Sequence, residues 1–198
     1  MQLDNDYKGF SFLRDGPLDM RMNPENPLTA KEVVAKASEK ELGRIFQEYG
    51  EDPRWKAAAK TIVDARKKGP IRTTKQLADL LSETLRTKIR GKLHPATLVF
   101  QALRIFVNKE MEVLEKTLSK AISFLESDGL IGVISFHSFE DRIVKNILRD
   151  AAKPIKDGKE KLLPSLTLLT KKPLAPSLKE IRSNMRARSA KLRFAQKN

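Results

Sequence analysis

Residues 135–142 read Ser-Phe-His-Ser-Phe-Glu-Asp-Arg. One imidazole (His137), two carboxylates (Glu140, Asp141), two hydroxyls and a guanidinium (Arg142) fall within a few residues. Such groups can move a proton or orient a substrate. The apolar run Leu130 to Phe136 precedes them, and a helical pattern of Phe139, Ile143, Val144, Ile147 and Leu148 follows. That order places them where a strand ends and a helix begins, the position at which open α/β sheets bind ligands. A Ser–His nucleophile pair fits poorly: neighbouring residues at a strand end point apart, and there is no G-x-S-x-G elbow. The plainer alternative is structural, with Ser138 capping the helix and Glu140 and Asp141 favouring its positive end.

Three further segments carry functional groups. Gly9 to Met22 holds two aromatics, two methionines and interleaved Asp and Arg, more than a linker needs; its plainer reading is a surface loop pinned by its aromatics. His94-Pro95-Ala96-Thr97 opens a long helical pattern, so His94 either serves a site or caps that helix. Arg186, Arg188, Lys191 and Arg193 put four cations within eight residues, a density that suits phosphate contacts. The alternative there is a solvated edge strand whose charges prevent aggregation.

The chain of 198 residues carries 39 Lys plus Arg against 25 Asp plus Glu, a net charge of +14. The excess is concentrated: residues 51–100 are net +7 and residues 151–198 net +10, while the other two quarters are close to neutral. Two basic blocks favour a polyanion, and nucleic acid over a membrane, because no basic amphipathic anchor stands out. There is no cysteine and there are only two histidines, which excludes thiolate chemistry and argues against any metal site. No apolar run is long enough to span a membrane, and the first seven residues do not resemble a targeting segment. Neither G-x-G-x-x-G nor a P-loop occurs.

Several elements must position these groups. Residues 1–28 read as loop. Capping-box spacings at Thr29/Glu32 and Ser38/Glu41, and a third start at Thr73 with Gln76, predict short helices. Another helix runs from about Arg54 to Lys67 and stops at Gly69-Pro70. Phe100, Leu103, Val107, Met111, Leu114, Leu118, Ile122 and Leu125 predict one long helix, or two with a break near Asn108. The unbroken run at 130–136 predicts a central strand buried on both faces. A Lys-rich loop at 153–161, a short strand at Leu166 to Leu169, a short helix from Ser177 and an antiparallel strand at Lys191 to Gln196 complete the reading.

Together these segments resemble the RsmH/MraW family of S-adenosylmethionine-dependent methyltransferases acting on the cytosine N4 of small-subunit ribosomal RNA. The resemblance rests on Gln2-Leu3-Asp4, Gly9 to Phe12 with Asp15 to Met22, Tyr49-Gly50-Glu51, His94 to Thr97, Phe100 to Ile105 with Val107-Asn108, Ser135 to Ser138 with Glu140 to Lys145, and Arg186 to Arg193, in family order along nearly the whole chain. Two positions depart from the family pattern: Leu98-Val99 stands where Arg-Thr is usual, and Phe139 where Leu is usual.

The resemblance implies an α/β fold: an incomplete class I (Rossmann-like) methyltransferase sheet with an inserted all-helical domain. Residues 1–23 are then a loop following the cofactor-binding part, 24–94 the helical, substrate-recognising insertion, and 95–198 the last sheet strands with their helices and antiparallel hairpin. The family's glycine-rich cofactor loop, ribose-binding acid and Asp-Leu-Gly-x-Ser-Ser strand end have no counterpart here. Gln2 is the one cofactor contact that carries over. His94, Arg104, Arg142, Arg186, Arg188, Lys191 and Arg193 are expected at the RNA. His137, Glu140 and Asp141 are candidates for catalysis, without assigned roles. The implied cofactor is S-adenosylmethionine, and the implied partner is ribosomal RNA or the small ribosomal subunit. A cytoplasmic location is expected, with an organellar one as the alternative, and a homo-oligomer is allowed. The chain alone is expected neither to bind the cofactor tightly nor to turn over. A non-catalytic RNA-binding remnant, or an incomplete gene product whose Met1 is an internal methionine, are the alternatives.

Overall fold

The structure, a computed structural model, describes residues 8–85, 94–157 and 160–198. The chain divides into two compact units, Met1–Glu110 and Met111–Asn198.

The first unit is helical. Its elements are α1 (Ala30–Lys36), α2 (Glu39–Glu48), α3 (Trp55–Lys68), α4 (Thr74–Thr84) and α5 (Thr97–Asn108). All three expected capping boxes form: Thr29 with Glu32, Ser38 with Glu41 and Thr73 with Gln76 each exchange side chain and amide. Each box satisfies two amides that the first helical turn leaves open. The buried faces meet in one cluster that includes Val34, Leu42, Phe46, Ile62, Leu77, Leu81 and Leu103. α5 contributes Val99, Phe100, Ala102 and Val107 to this core. Lys109 adopts a left-handed φ of 50° at the end of α5, so the long pattern resolves into two helices at the anticipated break.

Residues 9–28 form no α-helix and no strand, yet they are built in. Phe10, Leu18 and Met20 are buried in the helical core. Gly9 takes a φ of +67°, and a Cβ there would lie 2.1 Å from the Pro17 carbonyl oxygen, so only glycine fits. Asn108 ties the loop down: its amide donates to the Met20 and Arg104 carbonyls, and its oxygen accepts the Met22 N–H.

The second unit mixes helix and strand. It holds α6 (Glu110–Phe124, from Met111 on), β1 (Leu130–Ser135), α7 (Ser138–Ala151), β2 (Ile155–Asp157), β3 (Glu160–Leu162), β4 (Leu166–Leu168), α8 (Leu178–Ser183), a 3-10 turn (Met185–Ser189) and β5 (Lys191–Lys197). The main sheet has the order β1-β5-β4, with β5 antiparallel to both neighbours. Ile131 and Val133 of β1 pack with Leu118, Ile122, Val144, Leu148, Leu166 and Ala195.

Two expectations are corrected here. Among the described residues the strand expected at 130–136, β1, stands at the edge of its sheet and is not buried on both faces. Among the described residues β1 pairs with β5 alone, and alternate residues Leu130 and Ile134 are exposed. An unbroken apolar run says that both faces are apolar; whether both are covered depends on what else packs there. The Lys-rich stretch expected as loop forms the β2–β3 hairpin, with Ile155 opposite Leu162. Its charges hid a short pairing segment.

Candidate functional site

The groups singled out in the sequence fall into two sets, one in each unit. In the second unit they gather at the C-terminal end of β1. Here the structure corrects the expected cap: the N-cap of α7 is His137, not Ser138. His137 Nδ1 accepts the Glu140 amide at 3.3 Å, which leaves the ring proton on Nε2. The Glu140 carboxylate reaches back, and its Oε2 accepts the amides of Phe136 at 2.8 Å and His137 at 3.3 Å. His137 Nε2 is buried and has no hydrogen bond, while Glu140 Oε1 lies 3.2 Å from it. Burial alone would raise the Glu140 carboxyl, but the His137 ring and the two amides outweigh it and hold it below the ordinary range.

Asp141 makes the second anchor of this corner. Its carboxylate receives Arg193 Nε at 2.7 Å and Nη2 at 3.0 Å, with Lys191 Nζ at 3.6 Å. The Arg193 guanidinium is the main reason the Asp141 carboxyl lies below its usual range, against the opposing effect of burial; Lys191 adds to it. The three catalytic candidates, His137, Glu140 and Asp141, are thus brought together, and each is engaged in fixing the strand-to-helix turn.

The basic run splits by role. Arg193 is buried, with its side chain only 8% exposed and committed to Asp141. Arg186 and Arg188 stand exposed on the 3-10 turn that leads into β5. Lys191 is partly exposed and pairs in register with Ser135 at the end of β1. Arg142 is exposed on α7, with its guanidinium 5.7 Å from the centre of the Phe139 ring.

In the first unit His94 stacks on Phe12 at 4.5 Å, and Phe12 meets Phe100 edge-on at 4.9 Å. Its Nδ1 accepts the Ala96 amide and its Nε2 lies 3.1 Å from Ser82 Oγ. His94 therefore organises the turn before α5 while its edge remains exposed. Arg104 forms a two-point pair with Glu110, at 2.8 and 3.0 Å. Gln2 lies outside the described residues.

Sequence reasoning missed His137 as a cap and Glu110 as the partner of Arg104. His-x-x-Glu has the spacing of a capping box, and that was the available signal. It also passed over Phe136, which is 55% exposed directly after β1. No group of three or more potential ligands for a metal ion occurs among the described residues, and none of their helices is long and apolar enough to cross a membrane.

Comparison with known proteins decides the affiliation. A family model described as the MraW methylase family matches residues 1–198. The chain belongs to the MraW methylase family. Relatives named ribosomal RNA small subunit methyltransferase H include those of Protochlamydia amoebophila, 49% identical over 99% of this chain and 64% of the relative, and Carboxydothermus hydrogenoformans, 50% identical over 99% and 65%. The relative from Persephonella marina is 47% identical over 96% of this chain and 62% of its own length. The chain thus spans a little under two thirds of the MraW relatives it matches. Its mixed helix and strand composition and small three-stranded sheet are consistent with a methyltransferase α/β fold.

Proposed function

We propose that this chain serves methylation of ribosomal RNA at the exocyclic N4 of a cytosine in the small subunit, with S-adenosylmethionine as methyl donor, and that its own contribution is to hold the RNA. The observation that carries this reading is the pair of exposed cations, Arg186 and Arg188, on the turn entering β5, whose first residue is in register with the last of β1. The reading is further supported by the family membership and by the net +10 of residues 151–198.

The strand order β1-β5-β4, with an antiparallel strand in the middle, suits the end of a class I methyltransferase sheet. The helices before 94 suit an inserted substrate-recognition domain. The described residues do not fit the methyl donor itself. Their one strand-to-helix turn, β1 to α7, is made by Phe136 and His137 rather than glycines, and its amides are taken by Glu140 and His137. A dinucleotide-type cradle needs small residues and open amides there. We therefore propose that the chain alone does not turn over.

The cytosine amine is a weak nucleophile, so the reaction depends on orientation and on removal of one proton. The base must leave its stack to react. Phosphate contacts by Arg186, Arg188, Lys191 and Arg142 position the strand. His137, Glu140 and Asp141 keep the turn rigid, which suits positioning better than proton transfer. The test is RNA affinity against salt: R186A/R188A should weaken binding and lower the log–log slope by about 0.7 per lost contact. An unchanged slope would defeat the reading.

A further inference from the structure

Phe136 is an exposed aromatic at the C-terminal end of β1. It follows Ser135, the last residue of β1, and is 55% exposed. Its backbone is not free to turn the ring inward, because its amide is held at 2.8 Å by Glu140 Oε2. The neighbouring His137 is tied into the same cap. The ring thus stands on a fixed stem at the mouth of the strand-to-helix turn. Cations outnumber acids near it in chain and register: Arg142 lies in the second turn of α7, Lys191 is in register with Ser135, and Arg188 precedes β5 by three residues, while Glu140 and Asp141 in the same turn are already engaged.

An exposed ring with cations nearby is a combination by which proteins take up an unstacked nucleobase, with the ring receiving the base face and the cations the flanking phosphates. We propose that Phe136 is a stacking platform for one unpaired base of the RNA. This inference rests on the RNA reading above. Leu130 and Ile134 of β1 are also exposed, so a protein partner covering that face is the competing occupant. The charge favours RNA: an apolar protein face gains nothing from arginines at its end, whereas a base arrives with phosphates on either side.

The test uses the 198-residue chain and a short single-stranded oligoribonucleotide carrying one fluorescent cytosine analogue, with affinity followed across salt. Phe136→Ala should weaken binding by between about 5-fold and 150-fold and leave the salt slope unchanged. Phe136→Trp should keep the affinity and quench the analogue, whereas Phe136→Leu should lose both. Because the side chain is exposed, all three variants should keep the circular dichroism of the parent. Unaltered affinity in Phe136→Ala, or full affinity in Phe136→Leu, overturns the platform while leaving the phosphate contacts standing. So does a change in self-association on sedimentation with RNA affinity intact, which would assign the face to a protein partner. A parent chain that binds no RNA removes the functional reading and the platform together.

Discussion

Arg193 in β5 and Asp141 in the first turn of α7, 52 residues apart in sequence, meet through two parallel contacts, Nε to Oδ1 at 2.7 Å and Nη2 to Oδ2 at 3.0 Å. Both residues are buried. The pair fastens the helix to the strand beside β1 at the point where the candidate site opens. Its two-point geometry suits a guanidinium and cannot be reproduced by an ammonium.

Breaking this pair from one side should therefore be costly. We predict that Asp141→Ala lowers stability by about 3 to 5 kcal/mol, because it leaves the buried Arg193 guanidinium without its partner, and that Arg193→Ala costs less, because Lys191 still stands 3.6 Å from the Asp141 carboxylate. Arg193→Lys should recover only part of the loss. Urea unfolding of the single and double variants measures it. A double variant whose loss equals the sum of the singles would show that the two groups act independently.

The same corner predicts an acid limb. Glu140 and Asp141 both have carboxyl pKa values lowered by folding. Their stabilisation is fully present above the unfolded-state values near about 4 and is lost as pH falls through the lower folded values. Unfolding followed between neutral pH and strongly acidic pH should show stability falling in that range. Glu140→Gln should flatten the fall, and an identical acid limb in that variant would contradict the assignment.

Arg186 and Arg193 should part company in RNA binding. Arg186→Ala together with Arg188→Ala should leave unfolding unchanged within about 0.5 kcal/mol, as exposed substitutions usually do, while the salt slope of RNA binding falls. Arg193→Ala should do the reverse, with stability lost first and the slope preserved where the protein stays folded. Equal effects of both changes on the slope would return Arg193 to the phosphate contacts.

In the helical unit the loop before α1 depends on Gly9. A Cβ at Gly9 would press on the Pro17 carbonyl at 2.1 Å while the backbone holds φ at +67°. We predict that Gly9→Ala destabilises by more than about 1 kcal/mol, seen as a lower thermal midpoint. No change would mean that the loop can move away from Pro17 at little cost.

The helices were legible because their signals are local. Thr29, Ser38 and Thr73 each stand three residues before a Glu or Gln, and the apolar stripes that follow close on one core. The break after Asn108 was visible as an ambiguity and was decided by Lys109 in the left-handed region. The site was legible in place but not in role. Glu140 and Asp141 look alike in sequence, yet one clasps amides three and four residues back and the other clasps a guanidinium 52 residues ahead. Long-range partners such as Arg193, and coverage of a sheet face such as that of Leu130 and Ile134, leave no local pattern to read.

The clasp made by Glu140 also has a kinetic meaning. The amides of Phe136 and His137 are both bound to Glu140 Oε2, so neither proton can reach water until that carboxylate swings away. They should trade hydrogen for deuterium at one shared rate, although the Phe136 ring stands in solvent. The clasp then behaves as a latch that opens both at once, and anything seated on Phe136 would slow that opening for the two together.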